Sequence, residues 1–531
     1  MKKKSPVGMP IPHDYLVNAD QTRLIDKTYM DLFRVDSKDL INRAGHSMSQ
    51  WLHQHLPSLN LAQVVILAGP GNNGADAVQI AKRLHGQGCR VIIVHSGRID
   101  LSNISSRGAH QIEVFTADHF AQVRKQLGRV VRRNLSWQSR FAEKNSQAVR
   151  EKILERRRIL VIDGIFGVGI SRPIDGTWAQ IIHFFNQIDC LRISVDLPSG
   201  LDCDRGVIRG ICFDAHLTLS VLPRKYGCYL NEGIYYSGQI IPIDIGFPQE
   251  LIEKFSRGRI FNSRWAKKIL PYRDPRTNKT QAGRVYIIGG SPGMEGAALL
   301  VARGAFYAGA GYVTWVVKNE YKQNLAHHLY GLPQLMTISA EKFLTQVSSH
   351  READSLSRVS VVFGPGLGEQ NMDSFSKDIL MTLGNMKLKN VVIDADGLRI
   401  PELQKTAIPQ SWVLTPHAGE ASCLIPKTSK QIEVDRVQSV LDLVEKYNCV
   451  CLLKGLRTLV ASGSDLRLIN SGNAALAKAG SGDFLSGMIA ALMAQNYQSL
   501  DAASLGAFLH GKLADNYVRK NHGANWGFLL P

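Results

Sequence analysis

Small residues that run into an acid beside an apolar segment are the chemistry-bearing pattern of this sequence. The clearest instance is Ala479-Gly480-Ser481-Gly482-Asp483, after which Phe484-Leu485-Ser486-Gly487-Met488-Ile489 begins an apolar helical pattern. A turn of this kind can leave the amides of Gly480, Ser481 and Gly482 aimed outward at a helix N-terminus. There free N–H groups and the helix dipole bind phosphate. A carboxylate at the same point can take a proton from a hydroxyl while the amides hold phosphate oxygens. The plainer alternative is a flexible loop with Asp483 as an N-cap.

The pattern recurs upstream. Val64-Val65-Ile66-Leu67-Ala68 feeds Gly69-Pro70-Gly71-Asn72-Asn73-Gly74-Ala75-Asp76-Ala77. Ile159-Leu160-Val161-Ile162-Asp163 feeds a Gly-rich turn at 164–169, and Arg192-Ile193-Ser194-Val195-Asp196 feeds Leu197-Pro198-Ser199-Gly200-Leu201-Asp202. One such Asp could simply cap a turn. Two of them beside an Asn-rich loop predict a site. Downstream, strand-like runs end in Gly289-Gly290-Ser291, Gly364-Pro365-Gly366-Leu367-Gly368, Asp394-Ala395-Asp396-Gly397, Thr415-Pro416-His417 with Gly419-Glu420, and Lys454-Gly455-Leu456-Arg457-Thr458.

These loops must be carried by strands of a parallel sheet, because ligands of such sheets bind at the carboxyl ends of the strands. Residues 18–55 read as one helix capped at Asn18-Ala19-Asp20, with Leu24, Ile25, Met30, Leu32, Phe33, Leu40, Ile41, Met48 and Trp51 packing on a sheet. The run 64–68, the loop 69–77, a helix over about 78–84 and the run 90–94 form a β-loop-α-β unit. The loop is not G-x-G-x-x-G, so it is not the usual dinucleotide fingerprint. Residues 98–158 are rich in Arg and Lys and read as a solvated helical excursion. Strands follow over 217–222 and 239–245, then a linker and lead-in helix over 249–282. A second α/β unit starts at Arg284-Val285-Tyr286-Ile287-Ile288, with a helix over 297–308 and strands over 312–317, 359–363, 390–393, 412–414 and 450–453.

The chain's 531 residues exceed one core and predict two or more domains. Composition is globular, with 44% hydrophobic and 20% charged residues. There is no run of about 18 apolar residues, so no membrane span is expected. The basic start, Met1-Lys2-Lys3-Lys4, is not followed by an apolar stretch, which argues against export. Eight cysteines without a CxxC pair suit neither zinc nor a disulfide framework and point to a reducing cytoplasm. The net charge of +18 is spread along the chain without a nucleic-acid-binding signature, so no nucleic acid is expected.

With these motifs in place, residues about 260–531 resemble the ADP/ATP-dependent NAD(P)H-hydrate dehydratases, which have the ribokinase-like fold. Residues about 18–250 resemble the NAD(P)H-hydrate epimerase domain through Gly71-Asn72-Asn73-Gly74-x-Asp76, Asp163-Gly164-Ile165-Phe166-Gly167-x-Gly169 and Val195-Asp196-Leu197-Pro198-Ser199-Gly200. The order matches the fused repair enzymes. The resemblance implies an α/β chain with a Rossmann-like three-layer α/β/α domain over 1–250 and a ribokinase-like domain over 251–531. The implied substrates are NADH and NADPH hydrated at C6 of the nicotinamide ring, together with ADP or ATP and Mg²⁺. Asp483 would be the base for the hydroxyl. Lys454, Gly455, Leu456, Arg457, Thr458 and Gly482 would contact the nucleotide, and Ala297, Gly366 and His417 would line the hydrate side.

In the first half the resemblance assigns K⁺ to Asn73, Asp163 and Ser199. It assigns substrate to Asn72, Asn73, Gly74, Ala75 and Asp76, to the turn Gly167, Val168, Gly169, Ile170, Ser171, Arg172 and Pro173, and to Asp196, the candidate acid/base. Lys225 is a weaker candidate for a substrate phosphate, with a surface lysine as the alternative. Ala75 and Ala77 stand where the family's loop has glycine. Glycine there would serve a positive φ or the close approach of substrate. With Asn73, Asp76, Asp163, Asp196 and Ser199 all present, the first half is expected to be an epimerase. A homo-oligomer is expected. The rival reading is a ribokinase-like small-molecule kinase with a non-catalytic binding domain.

Overall fold

The short apolar runs become parallel strands, and the segments between them become the helices that cover the strands. The computed structural model describes residues 14–531 except 57–58, 61, 98–111, 128–158, 271–272, 320–330, 350–355, 369–373, 387, 405–406, 522 and 525. The chain divides between Arg257 and Gly258. This lies a little beyond the 250/251 boundary expected, because the helix Gln249–Phe255 packs within the first unit, where Tyr15 donates a 2.9 Å hydrogen bond to Glu253.

The first unit contains β1 (Tyr15–Val17), α1 (Ala19–Phe33), α2 (Ser37–His55), β2 (Gln63–Ala68), α3 (Asn72–Gly86), β3 (Arg90–His95), β4 (Glu113–Thr116), α4 (Phe120–Leu127), β5 (Ile159–Gly164), α5 (Gly176–Gln187), β6 (Leu191–Val195), β7 (Leu217–Val221), β8 (Arg224–Lys225), β9 (Gln239–Ile243) and α6 (Gln249–Phe255). The sheet runs β4-β3-β2-β5-β6-β7-β9 and is parallel throughout. Side chains alternate across it. Val64, Ile66, Leu160 and Ile162 pack with Met48, Leu52, Ile80 and Leu84 of α2 and α3. Val65, Leu67, Ile159 and Val161 pack with Val123, Ile181 and Phe185 of α4 and α5 on the other face. The result is the three-layer α/β/α arrangement.

The expected single helix over 18–55 is two helices. Asn18 caps the first with a reciprocal capping box, Arg34 ends it at φ 54°, and Asp36 caps the second. Leu24, Leu32 and Phe33, read as core, stay exposed. The helix after β2 starts at Asn72 rather than near Val78, so most of the supposed loop is its first turn. Within the Arg-rich stretch, 98–111 and 128–158 lie outside the described residues; the rest holds β4 and α4.

The second unit contains β10 (Gly258–Phe261), β11 (Arg284–Ile288), α7 (Glu295–Tyr307), β12 (Tyr312–Val317), β13 (Met336–Ser339), β14 (Val359–Phe363), β15 (Val391–Ile393), β16 (Val413–Leu414), α8 (Ala418–Leu424), β17 (Val450–Leu453), β18 (Leu459–Ser462), β19 (Asp465–Ile469), α9 (Ser481–Ala494) and α10 (Ser499–Lys520). Its strands run β13-β12-β11-β14-β15-β16-β17-β18-β19-β10. All pairs are parallel except β17–β18 and β18–β19. The stretch 249–282, read as linker and lead-in helix, also holds β10, which pairs with β19. Helix α9 is apolar on every side and buried along nearly its whole length, a core helix. It meets α7 at glycines: a Cβ on Gly487 would lie 2.0 Å from the Val301 carbonyl oxygen, and one on Gly304 2.0 Å from that of Phe484. Among the cysteines only Cys423, on α8, is exposed. No helix among the described residues is long and apolar enough to cross a membrane.

Candidate functional sites

In the first unit the strand order reverses between β2 and β5, so the loops after these two strands flank a crevice. Ala68 lies opposite Gly164, and the Gly69 amide donates to the Gly164 carbonyl at 3.1 Å. Only glycine fits at 69, where a Cβ would sit 1.7 Å from the Ile165 carbonyl oxygen. The crevice opens into a cavity of about 470 Å³ lined by Asn72, Asn73, Asp76, Gly167, Val168, Gly169, Ile170 and Asp196 of the predicted residues. Gly74, Ala75, Ser171, Arg172 and Pro173 are not among its lining residues. Gly74 is instead a packing position, since a Cβ there would lie 1.9 Å from the Gly69 carbonyl oxygen.

Asn73, Asp163 and Ser199 are linked through Ser199 and the Phe166 carbonyl. Asp163 is buried at the end of β5. It accepts from the Ser199 hydroxyl at 2.6 Å, the Ser199 amide at 2.8 Å, the Ser194 hydroxyl at 3.1 Å and the Ile165 amide at 3.2 Å. The Phe166 carbonyl accepts from the Asn73 side chain at 3.1 Å and from Ser199 at 3.2 Å. Burial pushes the Asp163 carboxyl up to about 6, against these hydrogen bonds.

Asp196 follows β6 in the left-handed region at φ 65°, a conformation an aspartate tolerates. Lys225 is not a surface lysine: it is 1% exposed and donates to Asp196 at 2.5 Å and to the Val221 carbonyl at 2.8 Å. Burial alone would lower the Lys225 ammonium, but the Asp196 charge outweighs it and holds the group above the ordinary lysine range. A residue absent from the sequence reading, Asp26 of α1, lines the same cavity.

In the second unit the order reverses between β11 and β14. The loops after them interlock: the Gly290 amide donates to the Pro365 carbonyl at 2.9 Å and the Ser291 amide to that of Gly366 at 2.8 Å. Gly366, at φ 62°, lies against Ala297, whose Cβ would be 2.9 Å from a Cβ on Gly366. The α9 terminus lies beside a charged array. Lys454 donates to Asp394 at 2.8 Å and pairs with Glu420 at 3.3 Å, and the Ser486 hydroxyl donates to Asp394 at 2.5 Å. A Cβ on Gly482 would stand 3.3 Å from the Lys454 ammonium, so α9 begins directly over this pair.

Asp483 is the third residue of α9 and Gly480, at φ 81°, is its N-cap; Asp483 is therefore not the cap. The Ser481 amide reaches the Lys478 carbonyl at 3.4 Å, while those of Gly482 and Asp483 find no partner among the described residues. Burial first, then Asp394, raises the Asp483 carboxyl to about 7, with Lys454 opposing. Asp394 is held below the usual carboxylate range: burial would raise it, but Lys454 and the hydroxyl donors outweigh that. His417 caps α8 through Nδ1, accepting from the Gly419 amide at 3.0 Å and the Glu420 amide at 3.2 Å, and leaves about half its side chain exposed. The Lys454–Thr458 turn rests on buried Arg436, which donates to the Leu453 carbonyl at 3.2 Å, the Lys454 carbonyl at 3.4 Å and also that of Leu456. Arg436 carried no signal in the sequence, where an arginine in an amphipathic helix reads as solvent-facing.

Residues 285–526 match a family model described as NAD(P)H-hydrate dehydratase, and residues 37–227 match one described as YjeF-related protein N-terminus. Among curated proteins the chain is similar to the bifunctional NAD(P)H-hydrate repair enzyme of Moorella thermoacetica, 31% identical over 524 residues, covering 95% of this chain and 93% of that protein. It is 28% identical over 515 residues to the enzyme of the same name from Escherichia coli, covering 97% and 91%. Among solved structures, the ADP/ATP-dependent NAD(P)H-hydrate dehydratase of Bacillus subtilis co-crystallized with ATP/Mg²⁺ is similar, with 23% identity and a TM-score of 0.42 over 51% of this chain and 92% of that one.

Proposed function

The chain belongs to the bifunctional NAD(P)H-hydrate repair enzymes, and on that premise we propose how its residues divide the work. The first unit interconverts the R and S hydrates of NADH and NADPH. The second removes water from the S hydrate, using ADP or ATP. Hydroxide is a poor leaving group, and phosphorylating the hydroxyl first makes a better one.

The observation that carries the assignment is Asp483, a carboxyl held near neutrality at a helix N-terminus, beside unpaired amides and the Lys454–Asp394 pair. Asp483 takes the hydroxyl proton of the hydrate. The Gly482 and Asp483 amides steady the transferring phosphoryl group. Lys454, fixed by Asp394 and Glu420, meets the phosphates, and the turn through Gly455, Leu456, Arg457 and Thr458 meets the nucleotide. Ala297, Gly366 and His417 line the hydrate. Asp394, Glu420 and Asp396 all act on Asp483, and Lys454 is the cation that opposes them among the described residues. The described residues hold no group of three metal-ligating side chains here, so the nucleotide's phosphates would bring Mg²⁺. When bound, Mg²⁺ offsets phosphate charge.

In the first unit Asp196 is the acid/base, aimed by Lys225, which donates to it. Asp163, the Ser199 hydroxyl, the Asn73 side-chain amide and the Phe166 carbonyl gather oxygens at this point, and no basic side chain is bonded to Asp163 among the described residues. That set fits K⁺ held by Asn73, Asp163 and Ser199, where the ion supplies the positive charge the buried carboxylate lacks. The test is the purified chain with mixed hydrate epimers and ADP or ATP. Return of the reduced-nicotinamide absorbance with release of inorganic phosphate supports the reading. A stable phosphoester product instead makes the second unit a kinase.

A further inference from the structure

Asp26 lies in the middle of α1 on the face that also carries Thr22, Ile25 and Met30, all lining the cavity of the first unit. An acid on the inward face of a helix is unusual unless a cation meets it. The cation that acts on it is Lys225, and its ammonium is already bonded to Asp196 and to the Val221 carbonyl. Arg23, the other basic residue lining the cavity, turns outward to Asp20 at 2.7 Å and is more than half exposed. Asp26, Asp76 and Asp196 therefore face one committed ammonium.

Groups reach Asp26 from each neighbouring element. Asp76 comes from α3, Asp196 from the end of β6 and Lys225 from β8. Helix α2 lines the cavity with Ser37, Leu40, Ile41 and Ala44, none charged. On α6, Glu253 is bonded to Tyr15 and Gln249. Three carboxylates in one cavity do not all ionise together. Burial first raises Asp26 to about 6, with Lys225 opposing and Asp196 adding, and burial lifts Asp76 further. A carboxyl that burial inclines to hold its proton and an aspartate bonded to Lys225 thus share the cavity, and exchanging a hydroxyl from one face of a carbon to the other needs a proton donor and a proton acceptor.

We propose that Asp26 is a catalytic residue of the epimerase, the proton donor that works with Asp196 on the hydrated carbon. The proposal rests on reading the first unit as an epimerase with Asp196 as acid/base. In one direction Asp26 gives its proton to the C6 hydroxyl, the C6–O bond breaks and water leaves. The ring-nitrogen lone pair fills C6 as an iminium. A solvent water adds to the opposite face and gives its proton to Asp196, and the proton returns to Asp26 through solvent. The reverse direction exchanges the two roles. Nothing is consumed beyond the water that is also released.

The experiment uses the intact chain and the R hydrate with ATP, reading epimerisation as consumption above the spontaneous rate, from below pH 6 to above it. Asp26→Asn should lower that excess by roughly 10²-fold or more, leave dehydration of the S hydrate unchanged, and remove the decline on the alkaline side of about 6. Asp26→Glu should keep part of the rate with the decline displaced, and this variant decides the matter if the asparagine variant does not fold. A folded Asp26→Asn that epimerises near the wild-type rate, or an Asp26→Glu whose pH profile is unmoved, overturns the proposal. If Asp196→Ala abolishes the excess and Asp26→Asn does not, the inference alone fails. If neither variant matters, or the unaltered chain shows no excess, the epimerase reading falls with it.

Discussion

At the scale of single residues, the two sites were legible in unequal parts. Asp483 and Asp196 announced themselves because each is an acid at the junction of an apolar run and a turn of small residues. Lys225 and Arg436 did not, because a buried cation carries no mark until its partner is known: Lys225 is defined by Asp196, and Arg436 by the carbonyls of Leu453, Lys454 and Leu456. Asp483 must be ionised to accept a proton, and burial holds its carboxyl at about 7. Dehydration should accordingly gain kcat/KM as pH rises through about 7. Asp483→Asn should lower turnover ~10²–10⁴-fold with hydrate still binding, and near-normal turnover in this variant would sink the assignment. Arg436→Met keeps the volume of the stem but leaves carbonyls of the 453–456 turn without donors. It should raise the KM for nucleotide more than it lowers kcat, as steady-state kinetics at varied ATP will show.

At the scale of elements, strands with continuous apolar runs were readable to within a residue or so, as β11, β12, β14 and β17 demonstrate. Short or hairpin strands such as β1, β8, β18 and β19 were not, since their identity depends on distant partners. The altered loop is the instructive case. Ala75 and Ala77 were read as replacing glycine in a loop, yet both lie in α3 without positive φ, and Ala77 is fully buried in the core. Alanine is the better helix former there, so strain at these positions is not an obstacle. The double change Ala75→Gly, Ala77→Gly should lower unfolding stability by about 0.5–1 kcal/mol per site and leave epimerase activity no higher. Denaturant unfolding and the R-hydrate assay check both halves of that statement, and a gain in activity would return the question to substrate approach.

At the scale of the whole molecule, the division of function into two units was visible in the repeated succession of strands and Gly-rich loops. Its exact position was not, because α6 is short, and only the burial of Leu251 and Ile252 in the first unit's core and the Tyr15–Glu253 bond assign it. A fragment from Gly258 to Pro531 should fold and consume only the S hydrate. Insolubility, or equal consumption of both epimers, would refute the independence of the second unit. The lone exposed thiol of Cys423 also has a practical value. It sits on α8, the helix that carries Glu420 to Lys454, while the other cysteines are buried. A thiol-selective fluorophore should therefore attach at one point on the native chain without any engineered substitution, and its emission would follow occupancy of the nucleotide site in real time.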